Sequence, residues 1–106
     1  MVKIKFGISS SLHPEKIPAP EEILNFAEQA ENYGYDSLWM GDHIAFHGHY
    51  TDSLTTLAAF AARTSKIIIG TAVFLVPLRR PAIAAKIAAT VDFLSGGNRF
   101  IFCIGI

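Results

Sequence analysis

The chain has 106 residues, of which 51% are hydrophobic and 17% charged, so its composition excludes intrinsic disorder and predicts one folded domain over residues 1–106. Nine basic and nine acidic residues balance to a formal charge of zero, which excludes the positive surface of a nucleic-acid binder. The single cysteine excludes an intrachain disulfide framework, and because no apolar span is long enough for a membrane, we expect a cytoplasmic protein without a membrane partner.

The first predicted strand lies near the start of the chain, where apolar residues alternate with polar or small ones over residues 2–8. A helix is expected to begin at Pro20, because proline suits a first helical turn and the two glutamates behind it suit the positive end of the helix dipole. We expect Gly34 to end that helix as a left-handed residue.

The second strand is predicted over residues 37–41, a short apolar run between turn-forming residues. Asp52 or Ser53 can cap the following helix, which residues 64–65 are expected to end. Residues 66–76 predict a third strand that is apolar on both faces, as strands are in a parallel sheet covered by helices.

The third helix is predicted to begin at Pro81 and to end at the Ser95-Gly96-Gly97 turn, and a fourth strand is expected over residues 100–104. The apolar stripe of this helix is expected to consist of Ile83, Ile87, Val91 and Leu94. The alternation of strands and helices implies right-handed crossovers and a parallel sheet, either doubly wound or part of a (β/α)8 barrel.

Three strings have the specificity of family motifs: GYDSLWMGDHI at residues 34–44, TSKIIIGTAVFLVPLRRPAIAAK at residues 64–86 and DFLSGGNRF at residues 92–100. Together they resemble the N-terminal part of the bacterial-luciferase-like monooxygenases and deazaflavin-dependent oxidoreductases. The resemblance implies a TIM barrel that binds flavin or deazaflavin at the carboxyl ends of its strands. Since a whole barrel takes about 250 residues, we expect an α/β fold that is a parallel (βα)3β half of a TIM barrel, truncated before a C-terminal half.

Asp42 and His43 are the candidate catalytic residues, because they directly follow the second strand, where barrel enzymes place their catalytic groups. By resemblance, His43 matches an active-site histidine that transfers a proton or holds a charged intermediate. The alternative is that Asp42 only caps the following loop and that His43 is a solvated turn residue.

The candidate cofactor-binding residues lie at the end of the third strand, where small side chains allow a planar ring to approach the backbone. They are Gly70, Thr71, Ala72, Val73 and Phe74. The resemblance implies a bulge here with a non-proline cis peptide bond, which maps to Ala72-Val73. The alternative is a plain buried strand.

The loop after the second strand is rich in imidazoles, and His43, His47 and His49 raise the possibility of a metal-dependent hydrolase. Their spacing has no fourth ligand nearby, so we expect no metal site and interpret His47 and His49 as loop residues. Tyr50 is expected to pack over the rim of the site.

Two arginines, Arg79 and Arg80, follow the third strand and could meet an anionic ligand; the preferred interpretation is a solvated pair or a partner for Asp42 or Asp52. The lone Cys103 is expected to be an inert residue of an apolar strand.

The resemblance implies an oxidoreductase that uses deazaflavin coenzyme F420 or FMN, with weak or absent binding and impaired activity in this short chain. The rival function is a non-catalytic assembly or binding module. Because open sheet edges and a mean hydropathy of +0.36 leave apolar surface uncovered, we expect self-association into a homodimer or larger assembly. The residues expected near the contact are Phe6, Ile68, Phe74 and Phe102.

Overall fold

The computed structural model describes residues 1–10, 13 and 15–106, and within them six short strands and three helices follow one another along the chain. The elements are β1 (Gly7–Ser9), α1 (Pro20–Asn32), β2 (Ser37–Met40), α2 (Ser53–Arg63), β3 (Ile68–Thr71), β4 (Phe74–Leu75), α3 (Pro81–Leu94), β5 (Phe100–Ile101) and β6 (Ile104–Gly105). A single 3-10 turn, Val76–Leu78, separates β4 from α3.

The main sheet has the order β1-β2-β3-β5, and every neighbouring pair is parallel. A doubly wound sheet reverses its strand order at one point, whereas strands in chain order joined by right-handed crossovers place all their helices on the same face. The strand order therefore distinguishes the two predicted folds and agrees with a (βα)3β part of a TIM barrel.

The predicted helix ends are confirmed. Pro20 and Pro81 occupy the first positions of α1 and α3, and Asp52 caps α2 by accepting a hydrogen bond of 2.8 Å from the Thr55 amide. Gly34 has a φ of 84°, and the turn after α3 contains two further glycines with positive φ. Among the helices of the described residues, none is both long and apolar enough to cross a membrane.

The first strand is shorter than predicted. Only Gly7–Ser9 pair with β2, and Val2, Ile4 and Phe6 are exposed by 64% or more. The reason is the register: Gly7 lies opposite Ser37, where β2 begins, so the preceding residues extend past their neighbour.

The third and fourth predicted strands are each interrupted. Residues 66–76 divide into β3 and β4 at a cis peptide bond between Ala72 and Val73, which the family resemblance implied. The predicted fourth strand, residues 100–104, is interrupted at Phe102 and Cys103, which separate β5 from β6. The outer halves, β4 and β6, pair with each other as a separate two-stranded parallel sheet at the carboxyl edge.

The core lies between the main sheet and the helices. Strand residues on this face, such as Leu38 and Ile69, are fully buried against α2 and α3, where Leu57, Phe60 and Val91 are also buried. The alternation of side chains along a strand fixes which residues face the helices and which face away.

The predicted apolar stripe of α3 is wrong in three of its four members. Ile83, Ile87 and Leu94 are exposed by 43% to 57%, and the buried positions are Ala84, Ala88 and Val91. Small side chains let α3 lie close to α2, so the larger apolar residues are left on the outer surface.

Two charged side chains fasten the amino edge of the sheet, and neither was singled out in the sequence. The Glu31 carboxylate accepts hydrogen bonds of 2.6 to 3.1 Å from the amides of Ser65, Lys66 and Ile67. Burial raises the pKa of Glu31, but these backbone hydrogen bonds outweigh that effect and hold the pKa below its ordinary value. The buried Arg99 guanidinium donates to four backbone carbonyls and to the Thr64 hydroxyl.

The opposite face of the main sheet has no helix over it among the described residues, and we call it the open face. It consists of Gly7, Ser9, Ser37, Trp39, Ile68, Gly70 and Ile101. Trp39 is half-buried and lies in register between Ser9 and Gly70, so its indole belongs to this face.

Candidate functional site

The carboxyl ends of the first three strands lie side by side. The Ser10 amide donates to the Trp39 carbonyl at 3.0 Å, and the Ala72 amide donates to the Met40 carbonyl at 2.7 Å. Parallel strands therefore bring the residues after β1, β2 and β3 to one edge, which is where barrel enzymes build their active sites.

Asp42, the first candidate catalytic residue, is buried within a set of contacts that we call the Asp42 clamp. Its side chain is 1% exposed and forms a bidentate ion pair with Arg79, with Nη2 at 2.8 Å from Oδ1 and Nη1 bound to Oδ2. The Ser53 hydroxyl donates to Oδ1 at 3.0 Å, and the Leu75 amide donates to Oδ2 at 2.9 Å. The clamp joins the end of β2 to the start of α2 and to β4.

Arg79 is a partner of Asp42, which is one of the two arrangements expected for the arginine pair. Its guanidinium carbon also lies 4.4 Å from the centre of the Phe74 ring, and Nη2 is 4.0 Å from an Asp52 carboxylate oxygen. Arg80 is exposed and precedes the first turn of α3. The two adjacent arginines thus have different roles: one is committed to the clamp, and the other faces solvent.

His43, the second candidate, is half-buried within an aromatic cluster made of His43, Phe46, His47 and Tyr50. Its ring stacks on Phe46 with centroids 4.3 Å apart and an interplanar angle of 28°. Tyr50 meets the same imidazole edge-on at 4.7 Å. The expectation that Tyr50 packs over the rim of the site agrees with this contact.

The other loop histidines are placed by backbone and ring contacts. His49 pairs with His13 through two backbone hydrogen bonds of 3.1 Å, which tie the loop after β2 to the loop after β1. His47 lies against Phe46 at 4.0 Å. Within the described part of the chain, no group of three or more potential ligand side chains is close enough to hold a metal ion. The metal-site alternative therefore receives no support from these residues.

The five candidate cofactor residues differ in what they present to solvent. Thr71 and Phe74 are buried, and the Thr71 hydroxyl donates to the Cys103 carbonyl at 2.7 Å. Ala72 and Val73, which share the cis peptide bond, are exposed at the carboxyl edge. A ligand at this edge can therefore contact Ala72 and Val73, with Thr71 and Phe74 holding that segment from behind.

Gly70 does accept a planar ring, and that ring is the indole of Trp39. A Cβ atom built on Gly70 would lie 2.6 Å from Cζ3 of Trp39 and 2.7 Å from the carbonyl oxygen of Ile101. On the other side of the indole, a Cβ atom on Gly7 would lie 2.8 Å from its Nε1. Two glycines on the flanking strands thus make room for the tryptophan, an arrangement that the sequence does not predict because it depends on the register of the strands.

Phe74, predicted near a contact with a second copy, is 2% exposed and packs against Phe102 at 5.1 Å, so that prediction is wrong.

The site combines the half-buried imidazole of His43, which can accept or donate a proton, with the exposed segment Ala72-Val73, whose side chains are apolar. Ala72 and Val73 suit the flat face of a ring system, and His43 suits a proton at its edge. These are the residues at this edge that could hold the ring of a flavin or deazaflavin, as the family resemblance implies.

Known proteins resemble this chain in both sequence and fold. The chain is 40% identical over 88 residues to an F420-dependent glucose-6-phosphate dehydrogenase of Kineococcus radiotolerans, covering 78% of this chain and 26% of that relative. Among solved structures it matches monooxygenase RslO1 of Streptomyces bottropensis, with a TM-score of 0.83 and 32% identity over 96% of this chain and 33% of that protein.

A second structural match is the coenzyme F420 dependent tetrahydromethanopterin reductase of Methanopyrus kandleri, with a TM-score of 0.79 and 32% identity over 98% of this chain and 27% of that protein. The chain thus spans between a quarter and a third of the length of these proteins. The family model for luciferase-like monooxygenases matches residues 1–106, its whole length. The chain belongs to the luciferase-like monooxygenase family.

Proposed function

We propose that this chain forms the wall of a flavin or deazaflavin site in an oxidoreductase of this family. The observation that carries the proposal is the half-buried imidazole of His43 at the same sheet edge as the exposed Ala72-Val73 segment. In this function His43 would be the catalytic residue, because a nitrogen of its imidazole would hold or move a proton for the coenzyme F420 or FMN bound at this edge.

Asp42 has a different role in this proposal. Both of its carboxylate oxygens are engaged by Arg79, Ser53 and Leu75, so it acts as a positioning residue that fixes the backbone immediately before His43.

The bound coenzyme would supply hydride or oxygen chemistry, and the residues of this chain would support its ring. Ala72 and Val73 would contact the flat face, while Thr71 and Phe74 would hold that segment in place. Arg79 is engaged with Asp42 and is therefore not available to a phosphate group.

The proposed cytoplasmic location fits the free thiol of Cys103, which is typical of a reducing compartment.

The test is a titration of the isotopically labelled 106-residue chain with coenzyme F420 and with FMN, followed by NMR. Barrels commonly anchor ligand phosphates with the loops after strands seven and eight. Those strands lie outside the four-stranded sheet of this chain, so we expect a dissociation constant no tighter than about 1 mM. The amide resonances of His43, Ala72 and Val73 should shift on addition of coenzyme.

The matched control is His49→Ala, because His49 belongs to the same loop but is held through its backbone. We expect His43→Ala to reduce the coenzyme-induced shifts and His49→Ala to leave them unchanged. Shifts confined to residues away from this edge would contradict the proposed site. A dissociation constant in the micromolar range would contradict the expected weak binding.

A second candidate function, a self-associating assembly module, is favoured by the exposed area. The chain exposes 6830 Å², about 1,000 Å² more than the roughly 5,800 Å² expected for a compact domain of its mass. That excess is close to the 800 Å² or so that each partner buries in a standard interface. We propose that the open face, with Ile68 and Ile101, is covered by a second copy of this chain.

Sedimentation velocity at micromolar concentration tests self-association, and we expect a dimer or a larger species. Ile101→Glu, on the open face, should shift the chain toward monomer. Ile83→Glu is the matched control, because Ile83 is also an exposed isoleucine but lies on the outer surface of α3. A well-folded monomer in the unsubstituted chain would overturn this proposal, and dissociation by Ile83→Glu alone would move the interface to the helices.

A further inference from the structure

The loop that carries His43 is fastened at both of its ends. Asp42 is held in the clamp at the start, and His49 is held by its backbone pairing with His13 near the end. Asp52 then caps α2. Phe46 lies in the middle of this loop and is 46% exposed.

Phe46 packs its ring against two imidazoles of the loop, those of His43 and, at 4.0 Å, His47, and it is not among the residues of the core. It stacks on His43 at 4.3 Å, and its ring also meets Tyr50 edge-on at 5.6 Å with an interplanar angle of 86°. Tyr50 in turn meets His43 at 4.7 Å, so three rings contact one another in a closed triangle. Phe46 stays nearly half exposed while it covers the His43 imidazole. Burial of its ring in the core therefore does not explain why a large apolar residue stands at this position.

We propose that Phe46 is a positioning residue for His43 and that Tyr50 supports the same imidazole through its ring contact. This inference rests on the proposed function. If His43 handles a proton for a bound coenzyme, the orientation of its imidazole determines where that proton lies. Stacking covers a face of the imidazole, whereas its two nitrogens lie on the ring edge. Phe46 can therefore restrain the ring plane without occupying the atoms that exchange protons.

The size of the effect follows from the strength of aromatic pairs. Loss of one such pair should raise the fraction of time that His43 spends away from its stacked orientation by about 2- to 12-fold. His13 and His49 are held through backbone hydrogen bonds to each other. The exposure of their imidazoles should therefore not change in Phe46→Ala.

Two measurements on the 106-residue chain test the proposal. NMR should show contacts between the ring protons of His43 and Phe46 and an upfield ring-current shift at the imidazole, both lost in Phe46→Ala and retained in Phe46→Tyr. The rate at which diethyl pyrocarbonate modifies His43 should rise about 2- to 12-fold in Phe46→Ala and return to the original rate in Phe46→Tyr.

Phe93→Ala is the matched control, because Phe93 is 80% exposed on α3 and outside the loop. An unchanged rate at His43 in Phe46→Ala would overturn the proposal. So would equal increases at His13, His43 and His49, which would report opening of the whole loop. If His43 responds as expected but neither coenzyme shifts the resonances of Ala72 and Val73, the proposed function fails and the positioning of His43 by Phe46 stands.

Discussion

Replacing Arg79 by alanine is expected to lower the free energy of unfolding by about 3–5 kcal/mol. The substitution leaves the Asp42 carboxylate, whose side chain is 1% exposed, with only Ser53 and Leu75 as partners for its charge. It also removes the cation that lies over the Phe74 ring. Urea denaturation at one fixed protein concentration measures the change, because self-association would otherwise alter the apparent stability.

Arg80→Ala is the matched control for this prediction. Arg80 is the adjacent arginine and is exposed, so its loss should change stability by less than about 0.5 kcal/mol. The double variant Asp42→Asn/Arg79→Ala should be less destabilised than the sum of the single changes, because no buried charge is left unpaired. Equal effects of Arg79→Ala and Arg80→Ala would show that the Asp42 clamp contributes nothing to stability.

Features of the fold that depend on neighbouring residues in the sequence were predictable. Pro20, Pro81 and Asp52 mark helix starts through their own backbone or side-chain chemistry, and Gly34 marks an end through its positive φ. Each of these signals acts within one helical turn. The alternation of strands and helices predicted a parallel sheet, whereas the strand order of a barrel, as opposed to that of a doubly wound sheet, came from the family resemblance.

Features that depend on distant partners were not predictable from local pattern. The exposed Ile83 and Ile87 of α3 have the same spacing as buried residues, and only contact with α2 selects Ala84 and Ala88 for the interface. Glu31 binds amides that are 34 to 36 residues away along the chain. A glutamate in that helix has no sequence feature that identifies such a partner.

The candidate site was predictable in part, for the same reason. Asp42 and His43 were identified by their place after a strand, and Arg79 was recognised as a possible partner of Asp42. The cis bond at Ala72-Val73 came from the family resemblance and not from the residues themselves. The packing of Phe46 on His43 was not predicted, because a loop sequence gives no ring geometry.

Substituting Gly70 by alanine is expected to lower the free energy of unfolding by about 3 kcal/mol, at the upper end of the usual cost of overpacking. The added methyl group would lie 2.6 Å from the Trp39 ring and 2.7 Å from the backbone oxygen of Ile101. The indole can move away, but the backbone of β5 cannot move without disturbing its pairing with β3. Trp39 is the single tryptophan, so its fluorescence should report the displacement as a red shift.

Gly105→Ala is the matched control, because the added Cβ there would meet Cγ2 of the exposed Val73, at 2.5 Å. A side-chain methyl group at the surface can turn aside, so we expect a loss below about 1 kcal/mol and no change in Trp39 emission. Adding Trp39→Leu to Gly70→Ala should recover only part of the lost stability, because the contact with the Ile101 oxygen remains. Full recovery would mean that the indole alone requires glycine at position 70, and an unchanged stability of Gly70→Ala would contradict the close packing of Trp39 on β3.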